Sequence, residues 1–195
     1  MIRVVVALLL CLPMLTWGVD RSVSSFEQRE KKHVDRFDFS GEWPNMETID
    51  IDARRKKRVE VDLTGSYPLL ESINFEGGFG LLRGEITGDF PKLERVNFLC
   101  GSSAITLDLT SAWRQSCTIT VRGLNEDVTL LLPADVGLVV QTKVGARGKV
   151  YMDGLKKKGF GIWKKNYRNP ESKSSEIVLT INVETQDGNI IINTQ

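Results

Sequence analysis

A nine-residue pattern occurs four times along this chain, at intervals of 23 or 24 residues. Each copy begins with an aromatic residue and ends with two apolar residues that flank one polar residue. The copies are Trp43–Ile51, Tyr67–Phe75, Phe90–Phe98 and Trp113–Val121. Self-similarity at a fixed period of about 20–50 residues is typical of stacked repeat architectures. The repeat therefore constrains the fold more than any other feature of the sequence.

Each repeat contains two segments in which apolar and polar residues alternate. The second segments are Val59–Leu63, Leu82–Ile86, Ile105–Leu109 and Val128–Leu132. A period of two predicts strands with one buried face, and two strands per repeat leave no room for a helix of ordinary length. One such unit cannot bury its apolar face alone, so neighbouring units must stack on it. We therefore predict an all-β, single-domain parallel β-solenoid of five or six rungs over residues 35–195, with equivalent strands about 4.8 Å apart.

Equivalent positions of the repeats should form columns along the stack. The aromatic column is Trp43, Tyr67, Phe90 and Trp113, beside the proline column Pro44, Pro68 and Pro91. We expect the aromatic column to pack at a corner of the core, and a glycan platform is the alternative if the rings face water. The carboxylates of Glu47, Glu71 and Glu94 form a third column, either solvated, bound by turn N–H groups or sharing a calcium ion. The column Asp50, Asn74, Asn97 and Thr120 should point outward.

The N-terminus has the features of a secretory signal peptide. Arg3 precedes the apolar run 4–15, which is too short to span a bilayer as a helix. We predict a signal peptide over residues 1–18, cleaved after Gly18, with an uncleaved anchor as the alternative. Because Arg3 is the only charged residue removed, the rest of the chain carries equal numbers of cations and anions. We therefore expect an exported protein, periplasmic, outer-membrane-associated or extracellular, with no global charge that favours nucleic acid.

Residues 19–34 form a polar leader that includes the single histidine, His33. After it, Phe37 and Phe39 are expected to form a capping strand, since the end of a solenoid otherwise exposes apolar surface and strand edges. The domain boundaries predicted from the sequence are thus a signal peptide, a leader and one β-domain from residue 35 onward.

The order of strands and turns from about residue 100 onward is familiar. It includes the Leu-Asp-Leu-Thr turn at 107–110, the strands 118–124 and 127–133, and the final strand after Asp187-Gly188-Asn189. This order resembles the C-terminal domain of LiaF-type cell-envelope stress proteins and the related toastrack and adhesin-head-like β-solenoid domains. The resemblance implies a β-solenoid at the bacterial envelope that works through protein contacts, often in stress signalling. LiaF-type members begin with several membrane helices, whereas this chain begins with a signal-like segment.

A leucine-rich repeat is the alternative fold for the N-terminal half. Leu70-x-x-Ile73-x-Phe75 and Leu93-x-x-Val96-x-Phe98 match the first part of that repeat. The second part of each unit alternates like a strand and lacks the usual asparagine, which favours the solenoid.

Two basic segments are candidates for contact with a ligand. Arg54–Arg58 lies between the two strands of the first repeat, as either a solvated loop or a site for an anionic polymer or lipid headgroup. The loop 153–175 interrupts the last coil, and insertions on one edge of a solenoid often form the binding face. Our predicted contact surface there consists of Lys156, Lys157, Lys158, Phe160, Trp163, Lys164, Lys165, Tyr167 and Arg168. The alternative is a plain surface loop in which Trp163 packs over the edge of the solenoid.

The remaining cysteines leave three alternatives open. Cys100 and Cys117 could form a disulfide in an oxidising compartment, remain as buried thiols or pair between molecules. They occupy different positions in their repeats, so they do not stack directly. No CxxC pair or neighbouring histidine supports a metal site.

The sequence offers no convincing catalytic centre, and we predict no catalytic, cofactor or metal-binding residues. Glu71 and Glu94, one strand apart, are the only plausible acid/base pair, as in a β-helix glycosidase. A regular row of carboxylates has uniform surroundings, whereas acid/base catalysis needs their pKa values to differ. The favoured function is therefore a non-enzymatic structural or protein-interaction module of the envelope, with binding of anionic glycan or lipid headgroups as the alternative.

Overall fold

A computed structural model describes residues 33–159 and 164–195, together with the backbone of residues 3–6. These residues form sixteen β-strands and one 3-10 turn, Pro170–Lys173, and no α-helix occurs among them. The strands are β1 (Arg3–Val6), β2 (Asp35–Asp38), β3 (Thr48–Ala53), β4 (Arg58–Asp62), β5 (Ser72–Gly77), β6 (Gly80–Glu85), β7 (Arg95–Cys100), β8 (Ser103–Asp108), β9 (Cys117–Arg122), β10 (Val128–Leu132), β11 (Gly137–Val144), β12 (Val150–Met152), β13 (Lys156–Lys158), β14 (Lys164–Arg168), β15 (Val178–Thr185) and β16 (Ile190–Thr194).

The strands form two mostly parallel sheets that face each other across one core. The first sheet has the order β1-β3-β5-β7-β9-β15-β11-β14-β13, and the second has the order β12-β16-β10-β8-β6-β4-β2. Every pair is parallel except β11 with β14 and β13 with β14. The chain therefore alternates between the sheets from β1 to β12, as two strands per repeat predict.

The predicted alignment of the repeats is confirmed by the strand register. Ile73 lies opposite Ile49 on one side and Val96 on the other, and Ile119 continues the row. In the second sheet, the aligned residues are Val59, Leu82, Ile105 and Val128. All of these side chains are buried, so the two rows form the core between the sheets. The second segment of each repeat is a strand, which contradicts the leucine-rich-repeat alternative.

The C-terminal strands do not follow the stacking order of the sequence. Stacking in chain order would place β11 next to β9, but β15 pairs with both of them. In the same way, β16 pairs with both β10 and β12. Ile181 thereby joins the buried row between Ile119 and Val140. The last two strands of the chain thus complete the interior of both sheets.

The aromatic column packs into the core, as predicted, with one exception. Tyr67, Phe90 and Trp113 are buried, and the rings of Tyr67 and Phe90 stack with centroids 5.1 Å apart. Trp43, at the end of the column, remains 36% exposed, although its Nε1 donates a 3.0 Å hydrogen bond to the carbonyl oxygen of Phe39. Burial of the other three rings contradicts the glycan-platform alternative.

A strand is present where a cap was predicted, although it ends before Phe39. β2 is an edge strand of the second sheet and pairs with β4. Phe37 and Phe39 are buried against the core. The predicted signal peptide and most of the polar leader lie outside the described residues, except for the backbone of β1, which pairs in parallel with β3.

Candidate functional site

The predicted basic loop forms a hairpin that extends the first sheet. β13 and β14 are antiparallel, and β14 also pairs with β11, the last strand of the parallel series. Lys156 lies opposite Arg168, and Lys158 lies opposite Asn166. The basic residues are therefore presented from regular strands, and their side chains alternate between the two faces of the sheet.

This alternation divides the predicted contact residues into two groups. Lys156, Lys158, Lys164 and Arg168 are exposed on the outer face, and we refer to them as the hairpin cations. Tyr167 points to the opposite side, where it lies across from Val140 and is 8% exposed. Burial raises the pKa of Tyr167. The prediction of Tyr167 as a contact residue is therefore wrong, because its alternating position places it in the core.

The other predicted residues of this surface are placed as follows. Lys157 is exposed and Lys165 is half-buried on the face that carries Tyr167. Phe160 and Trp163 lie outside the described residues, so their predicted role stays a prediction.

The hairpin cations have no carboxylate partner within the described part of the chain. Nearby, Lys143 and Arg122 both bind Glu184, the latter with nitrogen and oxygen 3.8 Å apart. Among the described residues, no ion pair involves Lys156 or Arg168, and these two cations lie directly opposite each other. Like charges at opposite positions destabilise a sheet, typically by a few tenths of a kcal/mol or more. An anionic ligand would relieve this repulsion.

Residues 54–57 of the basic run Arg54–Arg58 form the turn between β3 and β4, and Arg58 begins β4. Two cations of this turn are neutralised locally. Arg54 donates two hydrogen bonds to Asp52, which hold the pKa of that carboxyl well below its usual range, at about 2. Lys56 donates a 2.9 Å hydrogen bond to Asp35. Arg55 and Lys57 are exposed and have no ion pair within the described residues. The turn therefore keeps two cations available to a ligand.

A charged groove on the outer face of the second sheet was not predicted from the sequence. Its volume is about 420 Å³. Four carboxylates lie in a row on consecutive strands, and three of them line the groove. The row consists of Asp38, Asp62, Glu85 and Asp108, and Asp38 lies beside the groove. Each accepts a hydrogen bond from the hydroxyl two residues later, supplied by Ser40, Thr64, Thr87 and Thr110. The recurring acidic-apolar-hydroxyl triplet was the sequence signal that could have located this row.

Cations in the neighbouring column balance much of this negative charge. Arg36, Glu60 and Arg83 alternate in sign across three adjacent strands, and Arg36 binds Asp62 with nitrogen and oxygen 3.1 Å apart. The bond from the Ser40 hydroxyl lowers the pKa of Asp38. Since the carboxylates are satisfied by their own turns and by arginine, the groove is a charge-paired surface.

The two carboxylates of the glycosidase alternative, Glu71 and Glu94, are exposed. Glu71 and Glu94 are consecutive in the stack, because the Glu94 N–H donates to the carbonyl oxygen of Glu71 at 3.0 Å. Both side chains are exposed, and that of Glu94 lies 3.9 Å from Arg95. Both carboxylates are open to solvent, unlike the acid of a glycosidase pair, which lies in an apolar pocket.

The structure contradicts the disulfide alternative for Cys100 and Cys117. Both are free and buried, and burial raises the pKa of each thiol to about 12. Cys117 begins β9, and Cys100 ends β7, its parallel neighbour. Since Thr118 lies opposite Arg95, the two cysteines are separated along the strands by about six residues, or roughly 20 Å. A disulfide requires Cα atoms within about 7 Å.

A metal cluster and a membrane-spanning helix are both absent from the described residues. Within them, no group of three or more histidine, cysteine, aspartate or glutamate residues is placed to hold a metal ion. No helix in the same part of the chain is long and apolar enough to cross a bilayer.

Comparison with known proteins identifies a solved structure with a similar fold. No protein-family model matches the chain, and no curated protein matches it. The structure is similar to a crystal structure of a candidate cell adhesion protein from Clostridium sporogenes ATCC 15579, with a TM-score of 0.53 and 18% sequence identity. The similarity covers 70% of this chain and 56% of the other, so this chain spans little more than half of its neighbour's length. It indicates a distant adhesin-like fold.

Proposed function

We propose that this chain is an exported, non-enzymatic interaction module of the cell envelope, built as a β-solenoid. The in-register parallel strands and the alternation of the chain between two sheets support the solenoid interpretation. The signal-like N-terminus supports export. The resemblance to LiaF-type domains, together with the fold neighbour described as a candidate cell adhesion protein, supports a role in contacts at the envelope, including a link to envelope stress.

The observation that carries this proposal is the basic outer face of the β13–β14 hairpin. Four cations from two adjacent strands share one exposed face, and no carboxylate within the described residues neutralises them. The face continues a polar row across the first sheet, formed by Asp50, Asn74, Asn97, Thr120, Asn182, Gln141 and Asn166. A regular polar surface that ends in cations with no carboxylate partner among the described residues suits an extended anionic glycan of the envelope. An acidic protein surface is the alternative partner.

Retention on an anionic polysaccharide tests this proposal. The chain is passed over immobilised hyaluronate and over neutral dextran, and the ionic strength of elution is recorded. We expect retention on hyaluronate alone. Replacing all four hairpin cations with glutamine should release the protein at much lower salt, because each lost contact reduces the salt-dependent part of the affinity.

A matched variant controls for net charge. It replaces four exposed cations elsewhere, namely Lys92, Arg95, Arg114 and Arg147, and should elute like the wild type. Equal elution of the two variants would assign retention to overall charge and remove the hairpin as the contact surface. Retention of wild type on an acidic protein but not on hyaluronate would replace the glycan with the alternative partner.

Export is tested by a separate experiment. Residues 1–18 are fused to a reporter protein, and the exported product is sequenced from its N-terminus. We expect export with cleavage after Gly18. An exported product that keeps its N-terminus would identify the uncleaved anchor, and a reporter that stays inside the cell would remove the proposed location.

A further inference from the structure

An exposed aromatic side chain lies at the tip of a turn that the proposed function does not use. The turn between β5 and β6 consists of Gly78 and Phe79, and Phe79 is 64% exposed, more than any other large apolar residue among the described ones. A phenylalanine in such a position has no role in the core. The groups that surround Phe79 therefore indicate which kind of partner this side chain could contact.

The glycines on either side of Phe79 fix it directly above the basic turn of the preceding repeat. A Cβ atom on Gly78 would lie 2.1 Å from the carbonyl oxygen of Arg54, and one on Gly80 would lie 1.9 Å from that of Lys57. Gly80 also has a φ of +123°, a conformation that side-chain-bearing residues rarely adopt. The backbone of this turn thus rests on the turn 54–57, and Phe79 projects from the same edge as Arg55 and Lys57.

Other exposed apolar side chains border the same edge. We use the name turn column for the turns that follow β3, β5, β7 and β9. Seven large apolar side chains are exposed among the described residues, and four of them lie in the turn column or within two residues of it: Phe79, Leu81, Leu99 and Leu124. Leu81 lies opposite Arg58, and the N–H of Leu124 donates to the carbonyl oxygen of Gly101 in the preceding turn. Leu99 faces outward from the first sheet and Leu81 from the second, so they flank the edge on which Phe79, Arg55 and Lys57 are combined.

We propose that this edge docks on an anionic lipid bilayer, with Phe79 at headgroup depth and Arg55 and Lys57 on lipid phosphates. Aromatic side chains are favoured at the membrane–water interface, and basic residues near an anionic leaflet strengthen binding. The patch spans only four stacked turns, about 15 Å, which is too narrow for a stable protein interface of about 800 Å² per partner. A bilayer needs no complementary pocket for a projecting ring, so it fits this edge better than a protein does.

This lipid contact is distinct from the hairpin surface of the proposed function. Seven strand spacings separate β3 from β13 in the first sheet, or roughly 34 Å. The basic turn and the hairpin therefore lie near opposite ends of the first sheet, and each can be tested without disturbing the other. Failure of glycan retention would leave the lipid contact in place, and the reverse also holds.

Hydrogen exchange measured by mass spectrometry on the full chain gives a local readout. The protein is incubated with vesicles containing about 30% phosphatidylglycerol in phosphatidylcholine, and separately with pure phosphatidylcholine vesicles. We expect protection of residues 54–58 and 77–82 with the anionic vesicles alone. No protection there, equal protection with neutral vesicles, or protection only in the hairpin would overturn the proposal.

Vesicle flotation of variants tests the individual residues. Phe79→Ser should weaken binding to anionic vesicles about tenfold, and Arg55→Gln with Lys57→Gln about 25-fold, or roughly fivefold for each cation. Tyr151→Ser, at an exposed aromatic residue near the other end of the stack, is the matched control and should bind like the wild type. All variants change exposed side chains, and circular dichroism verifies that they fold. Unchanged binding of both test variants, or an equal loss in the control, would contradict the assignment.

Discussion

The side-chain amide of Asn97 donates a 2.9 Å hydrogen bond to the amide oxygen of Asn74, which lies directly opposite on the neighbouring parallel strand. Asn74 in turn donates a 2.8 Å hydrogen bond to Asp50 on the next strand. Parallel strands in register bring identical positions to the same height, at a spacing that suits a bond between two amides. The outward column predicted from the repeat is therefore a hydrogen-bonded ladder.

Breaking this ladder at its centre should weaken the fold measurably. Asn74→Ala removes one donated and one accepted hydrogen bond, so we expect the free energy of unfolding to fall by about 1–2 kcal/mol. Urea denaturation followed by circular dichroism measures the change. Asn193→Ala, at an exposed outer-face position of β16, should change it by less than about 0.5 kcal/mol. Equal effects of the two substitutions would show that the ladder does not contribute to stability.

A charge in the buried row should unfold the domain. Val96 is fully buried between Ile73 and Ile119, so Val96→Asp places an unpaired carboxylate in the core at a cost of several kcal/mol. Loss of the cooperative unfolding transition is the expected measurement. Thr118→Asp, on the outer face of the neighbouring strand and opposite Arg95, is the control and should remain folded. A folded Val96→Asp protein would invalidate the assignment of inward and outward faces.

The buried rows of the core could be predicted because the same alternating pattern recurs in every repeat. Ile73 and Val96 occupy the same position in copies that differ elsewhere, and alternation alone assigns them to the buried face. The hairpin was predictable only as a basic insertion. The sequence did not indicate that Tyr167 points inward, because that depends on the pairing of β14 with β11.

The position of β15 could not be predicted, for a different reason. The alternating apolar residues of β15 are compatible with any position in the first sheet. The sequence of β15 itself does not distinguish the position between β9 and β11 from a position at the edge of the sheet. The order of the strands in the chain favours a position for β15 at the edge of the sheet. Hydrogen bonding along both of its edges favours a position inside the sheet. The energetic difference depends on contacts that are distant in sequence.

Removing β15 and β16 should therefore detach β11 and β12 from the earlier strands of the two sheets. A chain that ends at Glu176 lacks β15 and β16, so β11 and β12 lose their only connection to β9 and β10 within the sheets. We expect hydrogen exchange to show that residues 137–168 lose protection, while residues 48–108 keep much of theirs. A chain lacking only Gln195 is the control. Retained protection of β11 in the shorter chain would show that β11 pairs with β9 instead.

The two buried thiols should be unreactive in the folded protein. Burial raises the pKa of Cys100 and Cys117 to about 12, so the reactive thiolate is scarce at pH 8. Iodoacetamide followed by peptide mass spectrometry should show neither modified in buffer and both modified in urea. Oxidation by copper phenanthroline should not join them, and a Cys100–Cys117 crosslink in folded protein would contradict the register.

The same pKa values predict a loss of stability in alkali. The folded state holds both thiols protonated up to a pH of about 12, whereas the unfolded state releases these protons above about pH 9. The unfolded state therefore binds fewer protons between these pH values, and the free energy of unfolding should decrease as the pH rises through this interval. Replacing both cysteines with alanine should remove this part of the pH dependence. An unchanged alkaline slope in the double variant would assign it to other groups.

The close stacking of turns can be tested with two glycines that share a backbone conformation but differ in their surroundings. Gly41 has a φ of +109° and nothing within 4 Å of an added Cβ atom, whereas Gly80 has a φ of +123° and the carbonyl oxygen of Lys57 at 1.9 Å. Gly41→Ala should cost about 1–2 kcal/mol of stability through backbone strain alone. Gly80→Ala should cost clearly more, because Lys57 is held by its own hydrogen bond to the N–H of Leu81 and cannot move away. Urea denaturation compares the two, and equal losses would show that the turns do not rest on one another. In that case, the placement of Phe79 beside the basic turn would also lose its physical basis.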